Sequence, residues 1–365
     1  MATTPELTCA GDAWHRGRGV AANPANRFEQ TRTERDFDDP DQWNPEEASA
    51  PTTSFLPDAT KSVITYNQSP DIPFTASLNP YRGCEHGCSY CYARPYHEYL
   101  GMSAGLDFET RILVKHDAAK LLRAELSSPT WKPQTLNLSG VTDCYQPAER
   151  TFRVTRSCLE VLAEFRNPVA IISKNRLVAR DADVLSELAR HRAATVTISI
   201  TTLRQDLAAA LEPRASVPTA RLQAIRALAD AGVSVGVNIA PIIPGLNDHE
   251  IPTIMRAAAD AGATYAGWTL VRLPHAVQDL FTAWLDRHAP AAKHKVLTAI
   301  AACRNGALSD STFGDRMRGE GPVASLIADQ FRLAARRHGL DRGWPELNTG
   351  AFRSPHGKQL SIFDL

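Results

Sequence analysis

The sequence predicts an α/β protein built as a partial (β/α)6 barrel of the TIM type. The chain is long enough for one large barrel domain, with 365 residues of which 43% are hydrophobic. From about residue 75 onward, short β-branched runs alternate with helical segments, as in a sheet of parallel strands joined by helices. The six predicted strands cover 75–79, 135–141, 169–175, 194–201, 233–240 and 265–271.

Helices are predicted between these strands, and several have recognisable start or stop signals. Asp181 and Asp183 place negative charge in a first turn, and Pro218 is suited to a first helical position. Gly232 is suited to ending the helix that precedes it. The predicted helices cover 92–100, 116–126, 155–165, 181–191, 218–231 and 249–261.

The two ends of the chain differ from this repeating middle. Residues 1–60 have little hydrophobic periodicity, and eight acidic residues but only two arginines lie between Glu29 and Glu47. We therefore expect an irregular, partly disordered arm. The barrel core is expected at 61–275, a helical region at 276–348 with helices at 290–303 and 323–338, and a flexible tail at 349–365.

Charge and hydropathy exclude some classes of protein. Forty basic and forty acidic residues give a formal net charge of zero, so any site for a polyanion must be local. No stretch approaches the roughly 18 consecutive apolar residues of a membrane span, and no signal peptide is evident. We expect a cytoplasmic protein without a membrane partner, since thiols stay reduced in the cytoplasm.

Cys84, Cys88 and Cys91 form the most informative motif, spaced C-x3-C-x2-C with Tyr90 just before the third cysteine. The motif follows the first predicted strand, at the end of a parallel barrel where functional side chains gather. Three thiolates on one loop can ligate three irons of a [4Fe–4S] cluster and leave the fourth iron open. We therefore predict an iron–sulfur site at these three cysteines.

Zinc is the main alternative, because His86 or His97 could complete a tetrahedral Cys3His site. The spacing does not favour it, since the remaining cysteines are scattered singly and form no second pair. Unligated, inert thiols are the other alternative. The odd count of seven cysteines argues against a disulfide framework.

The cysteine motif and its wider context resemble one family. The runs at 16–29, 79–94, 105–110 and 142–147 resemble bacterial radical S-adenosylmethionine (radical SAM) proteins related to spore photoproduct lyase, often called DNA repair photolyase-like. The resemblance implies that SAM binds the open iron of the cluster. It further implies that an electron from an external donor cleaves SAM reductively to a 5′-deoxyadenosyl radical.

The resemblance also suggests a substrate. The favoured hypothesis is a lyase-like enzyme that acts on a base or lesion in nucleic acid. The near alternative is a radical SAM enzyme that modifies a protein or a small molecule. The far alternative is a non-catalytic metal-binding interaction protein.

Residues that would hold SAM are expected at the ends of strands two to five. Family members have a Gly-Gly-Glu-like segment after strand two, from which this chain departs, although the carboxylate of Asp143 is suited to the ammonium of SAM. Lys174 is suited to the SAM carboxylate. The other predicted SAM contacts are Ser139, Gly140, Thr142, Ser199, Thr201, Pro244 and Gly245. Tyr90, in the cysteine motif, is predicted to pack beside the cluster.

Cys144 lies on the predicted loop after strand two. A thiol facing the reaction cavity there could donate a hydrogen atom to a substrate radical. The alternative is a small apolar side chain that fills the core, since free cysteine is commonly buried.

The last residues contain a possible partner peptide. Gln359, Leu360, Ser361, Ile362 and Phe363 resemble the short segment by which bacterial replication and repair proteins bind the DNA sliding clamp. Three apolar side chains would enter a pocket while the glutamine amide forms hydrogen bonds, and a flexible tail can fold on binding. Packing of these residues on their own domain is the alternative.

Overall fold

The computed structural model describes residues 14–29, 51–72 and 74–354. In chain order its strands are β1 (Ser54–Pro57), β2 (Ile64–Tyr66), β3 (Ala76–Leu78), β4 (Tyr81–Arg82), β5 (Arg111–Val114), β6 (Leu136–Leu138), β7 (Val169–Ser173), β8 (Ala194–Ser199), β9 (Ser234–Ile242) and β10 (Tyr265–Leu270).

The helices are α1 (Leu106–Thr110), α2 (Ala118–Leu126), α3 (Glu149–Phe152), α4 (Val154–Phe165), α5 (Ala182–Arg190), α6 (Gln205–Leu211), α7 (Pro218–Asp230), α8 (Ile251–Asp260), α9 (Val277–His288), α10 (Pro290–Ala302), α11 (Asp315–Arg318) and α12 (Gly321–Arg337). Short 3-10 helices cover Arg94–Leu100, Arg176–Asp181, Asp248–Glu250 and Thr349–Ala351.

The main sheet has seven strands in the order β2, β3, β6, β7, β8, β9, β10. β3 and the five strands beyond it are parallel, and β2 pairs antiparallel with β3 at one edge. β2 and β10 do not pair with each other, so the described sheet is an open barrel. The predicted partial barrel of six βα units is confirmed, with all six predicted strands present.

The two faces of the sheet have different chemistry. On β8, Val196 and Ile198 lie in the main hydrophobic core together with Leu185 and Leu188 of the helix α5. The alternate residues Thr195 and Thr197 instead contact the hydroxyl of Tyr265 across the concave face, at 2.7 and 2.8 Å. The apolar core therefore lies between sheet and helices, and the concave face is polar.

One glycine allows close packing of side chains on the concave face. Gly236 on β9 is aligned with Thr197 on one side and Tyr265 on the other. A Cβ at Gly236 would lie 2.2 Å from the Tyr265 ring. Only a residue without a side chain lets this ring cross β9 to reach the threonines of β8.

A second, three-stranded sheet was not predicted. β5 pairs parallel with β1 and antiparallel with β4, next to the start of the cysteine motif. These strands have only two to four residues, which is too short for an alternating pattern to be recognised. Because β1 covers Ser54–Pro57, the expected irregular arm at 1–60 is wrong for those residues.

The C-terminal segment runs past the amino ends of the barrel strands. Trp344 packs on Tyr265 with the ring centroids 5.2 Å apart. Further along, the amide of Asn348 donates to the Arg192 carbonyl and that of Arg353 donates to the Phe165 carbonyl. The predicted flexible tail is therefore fixed to the barrel as far as residue 354, and its remainder lies outside the described residues.

Across the described ranges, none of the helices has both the length and the hydropathy needed to cross a bilayer.

Candidate active site

The three cysteines lie on one loop between β4 and the 3-10 helix Arg94–Leu100. Two backbone hydrogen bonds hold this loop from either side. The amide of Cys84 donates to the Phe108 carbonyl at 2.8 Å, and that of Ser89 donates to the Leu211 carbonyl at 3.0 Å. The loop is therefore attached both to α1 and to the end of α6.

The cysteine thiols are free and lie in an apolar setting. None of the three forms a disulfide; Cys84 and Cys88 are buried and Cys91 is partly buried. Burial raises the pKa of all three thiols, and the three groups interact, since Cys88 and Cys91 each raise the pKa of Cys84 further. Lys174 opposes this shift at Cys88 and Cys91. The thiolate forms therefore require positive charge, which metal ligation supplies.

The donor set fits a multi-iron cluster better than a single zinc ion. The loop offers three thiols, and the nearby His86 and His97 contact other groups of the described chain. A cubane spreads its thiolates over separate irons, whereas zinc needs all four ligands around one point.

Both histidines of the zinc alternative are engaged elsewhere. His86 lies between Asp143, at 3.4 Å, and Asn175, at 3.3 Å. His97 contacts the Arg111 carbonyl at 3.0 Å. Burial lowers the pKa of each ring to about 4, so both are neutral at neutral pH. Neither histidine completes a Cys3His site in this structure.

Arg94 holds the cysteine loop in shape, a role that was not predicted. Its guanidinium donates to the carbonyls of Cys88, Ala104 and Gly105. It also forms a completely buried ion pair with Glu109 of α1, at 2.5 Å. The only sequence signal was its position three residues after Cys91.

The N-terminal segment 14–29 packs directly on this assembly. The Gly19 amide donates to Glu109 at 3.0 Å. A Cβ at Gly19 would lie 1.5 Å from the Gly87 carbonyl oxygen, so only glycine allows this close approach. Arg18 adds a hydrogen bond to the Glu109 carbonyl at 3.1 Å. This part of the predicted arm is irregular in backbone but docked.

Asp143 joins three parts of the site. Its carboxylate accepts hydrogen bonds from the Ser173 hydroxyl at 2.9 Å and the Lys174 amide at 2.7 Å, and it faces His86 of the cysteine loop. It was predicted to bind the SAM ammonium. In the structure its oxygens contact His86 of the cysteine loop and accept hydrogen bonds from the end of β7. Asp143 therefore positions these two elements relative to each other.

Gln146 makes a second link between the same loops. Its amide donates to the Gly83 carbonyl at 3.1 Å and accepts from the Glu85 amide at 2.9 Å. This residue was quoted in the family motif but was not predicted as a site residue.

A buried ionic network lies beneath Tyr90. The Tyr90 hydroxyl donates to Glu212, which also accepts from Thr201 and pairs with Arg221. Burial by itself would raise the pKa of Glu212, but Arg221 and then Lys174 lower it to about 2. Neither Glu212 nor Arg221 was predicted, because their sequence context has no recognisable motif.

Lys174 lies over the same ring. Its Nζ is 6.0 Å from the centroid of Tyr90. It is partly exposed, and Tyr90 belongs to the cysteine loop, so the Lys174 ammonium is on the cysteine side of the barrel mouth. This placement is compatible with the predicted role of Lys174 as an anion ligand.

The other predicted residues mostly shape the strand ends. Ser139 has a positive φ of 76° and accepts from the Cys144 amide, and the Thr142 hydroxyl donates to the Tyr81 carbonyl. Gly140 accepts from the Tyr92 hydroxyl and the Ser199 carbonyl accepts from Arg221. Pro244 and Gly245 lie in the turn after β9, where Gly245 has a positive φ of 79°.

Cys144 does not face the barrel mouth. It has no exposed surface and lies in the main hydrophobic core together with Tyr145 and Cys158. Its carbonyl accepts from the Thr155 hydroxyl at 2.6 Å. The expectation that its thiol lines the reaction cavity is wrong for this structure.

One buried polar atom on the concave face has no partner. Asn137 on β6 is 2% exposed, and its Nδ2 has no hydrogen-bond acceptor among the described residues. Gly140 lies next to it, since a Cβ there would be 3.6 Å from this nitrogen. A buried donor of this kind needs an acceptor from outside the described chain, such as a water molecule or a ligand oxygen.

The comparisons with known proteins agree with this architecture. The model of the radical SAM superfamily matches residues 78–258. An uncharacterized protein of Mycobacterium tuberculosis is 34% identical over 265 residues, which are 72% of this chain and 76% of that protein. The chain belongs to the radical SAM superfamily. An uncharacterized protein of Methanocaldococcus jannaschii is 28% identical over 173 residues, 47% of this chain and 62% of that protein.

Solved structures show the same fold for this radical SAM protein. Spore photoproduct lyase complexed with dinucleoside spore photoproduct matches with a TM-score of 0.57 and 14% identity, covering 78% of this chain and 79% of that one. A mutant of that lyase with bound AdoMet and dinucleoside spore photoproduct matches with a TM-score of 0.56 and 15% identity, covering 78% of each chain.

Membership in the superfamily identifies the two cofactors as a [4Fe–4S] cluster and SAM. The three-thiol loop, the nearby Lys174 and the unpaired Asn137 amide form a donor set compatible with both.

Proposed function

We propose that this radical SAM protein is an enzyme whose substrate is a base or lesion in nucleic acid. The observation that carries the catalytic part is the loop of three free, interacting thiols at the mouth of an open barrel. When bound, the cluster and SAM supply the reductive cleavage that generates a 5′-deoxyadenosyl radical. The chain's own residues orient both groups.

Each cofactor has proposed protein contacts. Cys84, Cys88 and Cys91 ligate the cluster, and Arg94 keeps their loop closed. The Lys174 ammonium attracts the carboxylate of SAM, and the Asn137 amide donates to one of its oxygens. The polar concave face of β8 and β9 receives the remainder of SAM and the reacting part of the substrate.

Substitution of the cysteines tests the cluster assignment. After anaerobic reconstitution, Cys84→Ala, Cys88→Ala and Cys91→Ala are each expected to lose most bound iron and all formation of 5′-deoxyadenosine. Cys158→Ala, which changes a buried cysteine of α4, is expected to retain both. A colourless wild type that contains zinc, or a Cys88→Ala variant that retains the full iron content, contradicts the assignment.

Aromatic side chains beside the cysteine loop support the substrate class. Phe28, Tyr96 and Tyr99 are 53%, 54% and 67% exposed, and Phe28 lies 4.8 Å from Tyr99 between ring centroids. The Arg27 guanidinium is 4.7 Å from the Phe28 ring. Exposed rings interleaved with arginine are typical of surfaces that stack unpaired bases.

Removing one of these rings tests the substrate class. Tyr99→Ala is expected to weaken binding of a fluorescent single-stranded oligonucleotide by about 1–3 kcal/mol, the usual contribution of one stacked base. Tyr66→Ala removes an equally exposed ring from β2 and is the matched control. Equal affinity of both variants and the wild type would favour a protein or small-molecule substrate.

Two predictions rest on the sequence alone. A hydrogen-atom donor role for Cys144 requires its buried thiol to become accessible, and Cys144→Ala with unchanged products excludes it.

The clamp-binding peptide 359–363 lies outside the described residues. Deletion of 359–365 is expected to abolish retention on the immobilised clamp, and an intact chain that is not retained contradicts this partner.

A further inference from the structure

Three arginines surround the loop that follows β10, on the same side of the barrel as the cysteines. Arg272 comes two residues after the end of β10, and Arg316 lies in α11. Arg304 connects them, since its Nη2 donates to the Val271 carbonyl at 2.6 Å and to the Arg316 carbonyl at 3.2 Å. The guanidinium of Arg304 is thereby fixed beneath this loop.

Two of these guanidinium groups have unused donors. Arg304 is 3% exposed, yet its Nη1 has no hydrogen-bond partner in the described part of the chain. Arg272 is partly exposed, and among the described residues its one hydrogen-bond acceptor is the Met317 sulfur, at 3.6 Å, which is a weak acceptor. Leaving the buried Nη1 of Arg304 without a partner is costly, whereas the remaining donors of Arg272 are accessible from solvent. Together they offer donors to an anion that comes from outside the chain.

Nearby carboxylates compensate this positive charge only in part. Asp71 pairs with Arg316 at 2.5 Å, and Asp310 interacts with Arg304 from a partly exposed position. Burial lowers the pKa of Arg272, and the positive charge of Arg316 lowers it further. The pKa of Arg304 is likewise lowered by burial and then by the charge of Arg272. The three arginines therefore carry an excess of positive charge, and a bound anion would reduce their mutual repulsion.

The three arginines also lie at the entrance to the reaction site. The Arg272 guanidinium is 5.3 Å from the ring centroid of Tyr92, the residue after Cys91. The Tyr92 hydroxyl donates to the Gly140 carbonyl after β6, at 3.1 Å. Tyr92 thus connects the cysteine loop with the end of β6, and an anion held by Arg272 would lie beside this entrance.

We propose that Arg272 and Arg304 form a phosphate-binding subsite for the backbone of a nucleic-acid strand whose base enters the barrel. This inference rests on the proposed nucleic-acid substrate. The planar guanidinium fork matches the tetrahedral oxygens of a phosphodiester and holds the strand without reading its sequence.

The test uses the full-length, anaerobically reconstituted protein and fluorescein-labelled decathymidylate over a range of NaCl concentrations. Arg272→Gln is expected to lower the affinity about tenfold, as for loss of a charged hydrogen bond. It is also expected to reduce the slope of log affinity against log salt by about 0.7. Because the contacts of Arg272 with described residues are a weak hydrogen bond to the Met317 sulfur and the packing on the Tyr92 ring, this variant is expected to fold normally.

Two controls separate a local contact from a general change of charge. Arg190→Gln removes the same charge from the exposed end of α5, at the opposite end of the barrel, and is expected to change the affinity by less than about twofold. A decathymidylate with neutral methylphosphonate linkages is expected to bind wild type and Arg272→Gln equally.

The inference is overturned if Arg272→Gln matches the wild type in affinity and salt slope. It is also overturned if the wild type binds the neutral and the charged strand alike, or binds neither. Failure of the proposed function has a different signature. In that case the strand binds through Arg272 but never increases formation of 5′-deoxyadenosine.

Discussion

At the scale of single residues, the site depends on buried charges that the chain itself compensates. Glu212 and Arg221 are 2% and 1% exposed and form one ion pair beneath Tyr90. Arg94 and Glu109 form another beneath the cysteine loop, with neither side chain exposed. Such pairs tolerate loss of one partner poorly, because the other is left buried and uncompensated.

Glu212→Gln is expected to lower the free energy of unfolding by about 3–5 kcal/mol at neutral pH, since Arg221 remains buried without its carboxylate. Chemical denaturation of the variant and the wild type measures this loss. Glu187→Gln changes an exposed carboxylate of α5 and is expected to be nearly neutral.

The same pair predicts a pH dependence. The pKa of Glu212 is about 2 in the folded chain, below its value of about 4.3 in an unfolded chain. Its contribution is therefore complete above about pH 4.3 and is lost as the pH falls towards 2. The difference between wild type and Glu212→Gln should stay constant down to about pH 4.3 and shrink from there towards pH 2. A constant difference would contradict the ion-pair account.

At the scale of elements, side chains at strand ends hold neighbouring loops in register. Asn247 is 1% exposed and joins the ends of β8 and β9. Its Nδ2 donates to the Thr201 carbonyl at 2.7 Å and the Pro241 carbonyl at 3.1 Å, and its Oδ1 accepts from the Ile243 amide at 2.6 Å. The turn containing Pro244 and Gly245 is fixed by these bonds.

Asn247→Ala is expected to destabilise the fold by about 2–4 kcal/mol, because three buried backbone groups lose their partner. It is also expected to weaken SAM binding, measured by calorimetry, while the iron content stays unchanged, since the cysteine loop is anchored elsewhere. Gln223→Ala, on an exposed position of α7, is the control. Unchanged SAM affinity in a destabilised Asn247→Ala protein would limit Asn247 to a structural role.

At the scale of the whole molecule, the chain's two described ends attach to opposite ends of the barrel. The segment 14–29 packs on the cysteine loop through Gly19 and Arg18. The C-terminal segment packs at the amino ends of the strands through Trp344, Asn348 and Arg353. The cysteine site therefore lies at one end of the barrel, and the C-terminal segment stabilises the fold at the other end.

Trp344→Ala tests this separation. The side chain is 43% exposed but covers Tyr265 and Gly267, so its loss is expected to cost about 1–3 kcal/mol of stability. Cleavage of SAM per folded molecule should stay unchanged. Leu333→Ala, at a more exposed site on α12, is expected to leave stability unaltered. A Trp344→Ala protein of normal stability with reduced SAM cleavage would contradict this prediction.

Elements with a long sequence pattern were predictable, and those with a short pattern or none were not. The six parallel strands and most helices were predictable because β-branched runs and helical periodicity extend over many residues. The short strands β4 and β5 and the docking of residues 14–29 were not, because they arise from contacts distant in sequence. The same reason hid Glu212, Arg221, Arg304 and Asn247, whose roles come from burial.

By itself, the sequence determined the fold class, the position of the cysteine motif after the first strand of the barrel and the family that this motif indicates. Local spacing and periodicity carry that information. Only the tertiary structure decided that His86 and His97 are engaged away from the thiols, that Cys144 lies in the core, and that Arg272 and Arg304 have unused donors at the entrance. These properties depend on burial and on partners distant in the chain.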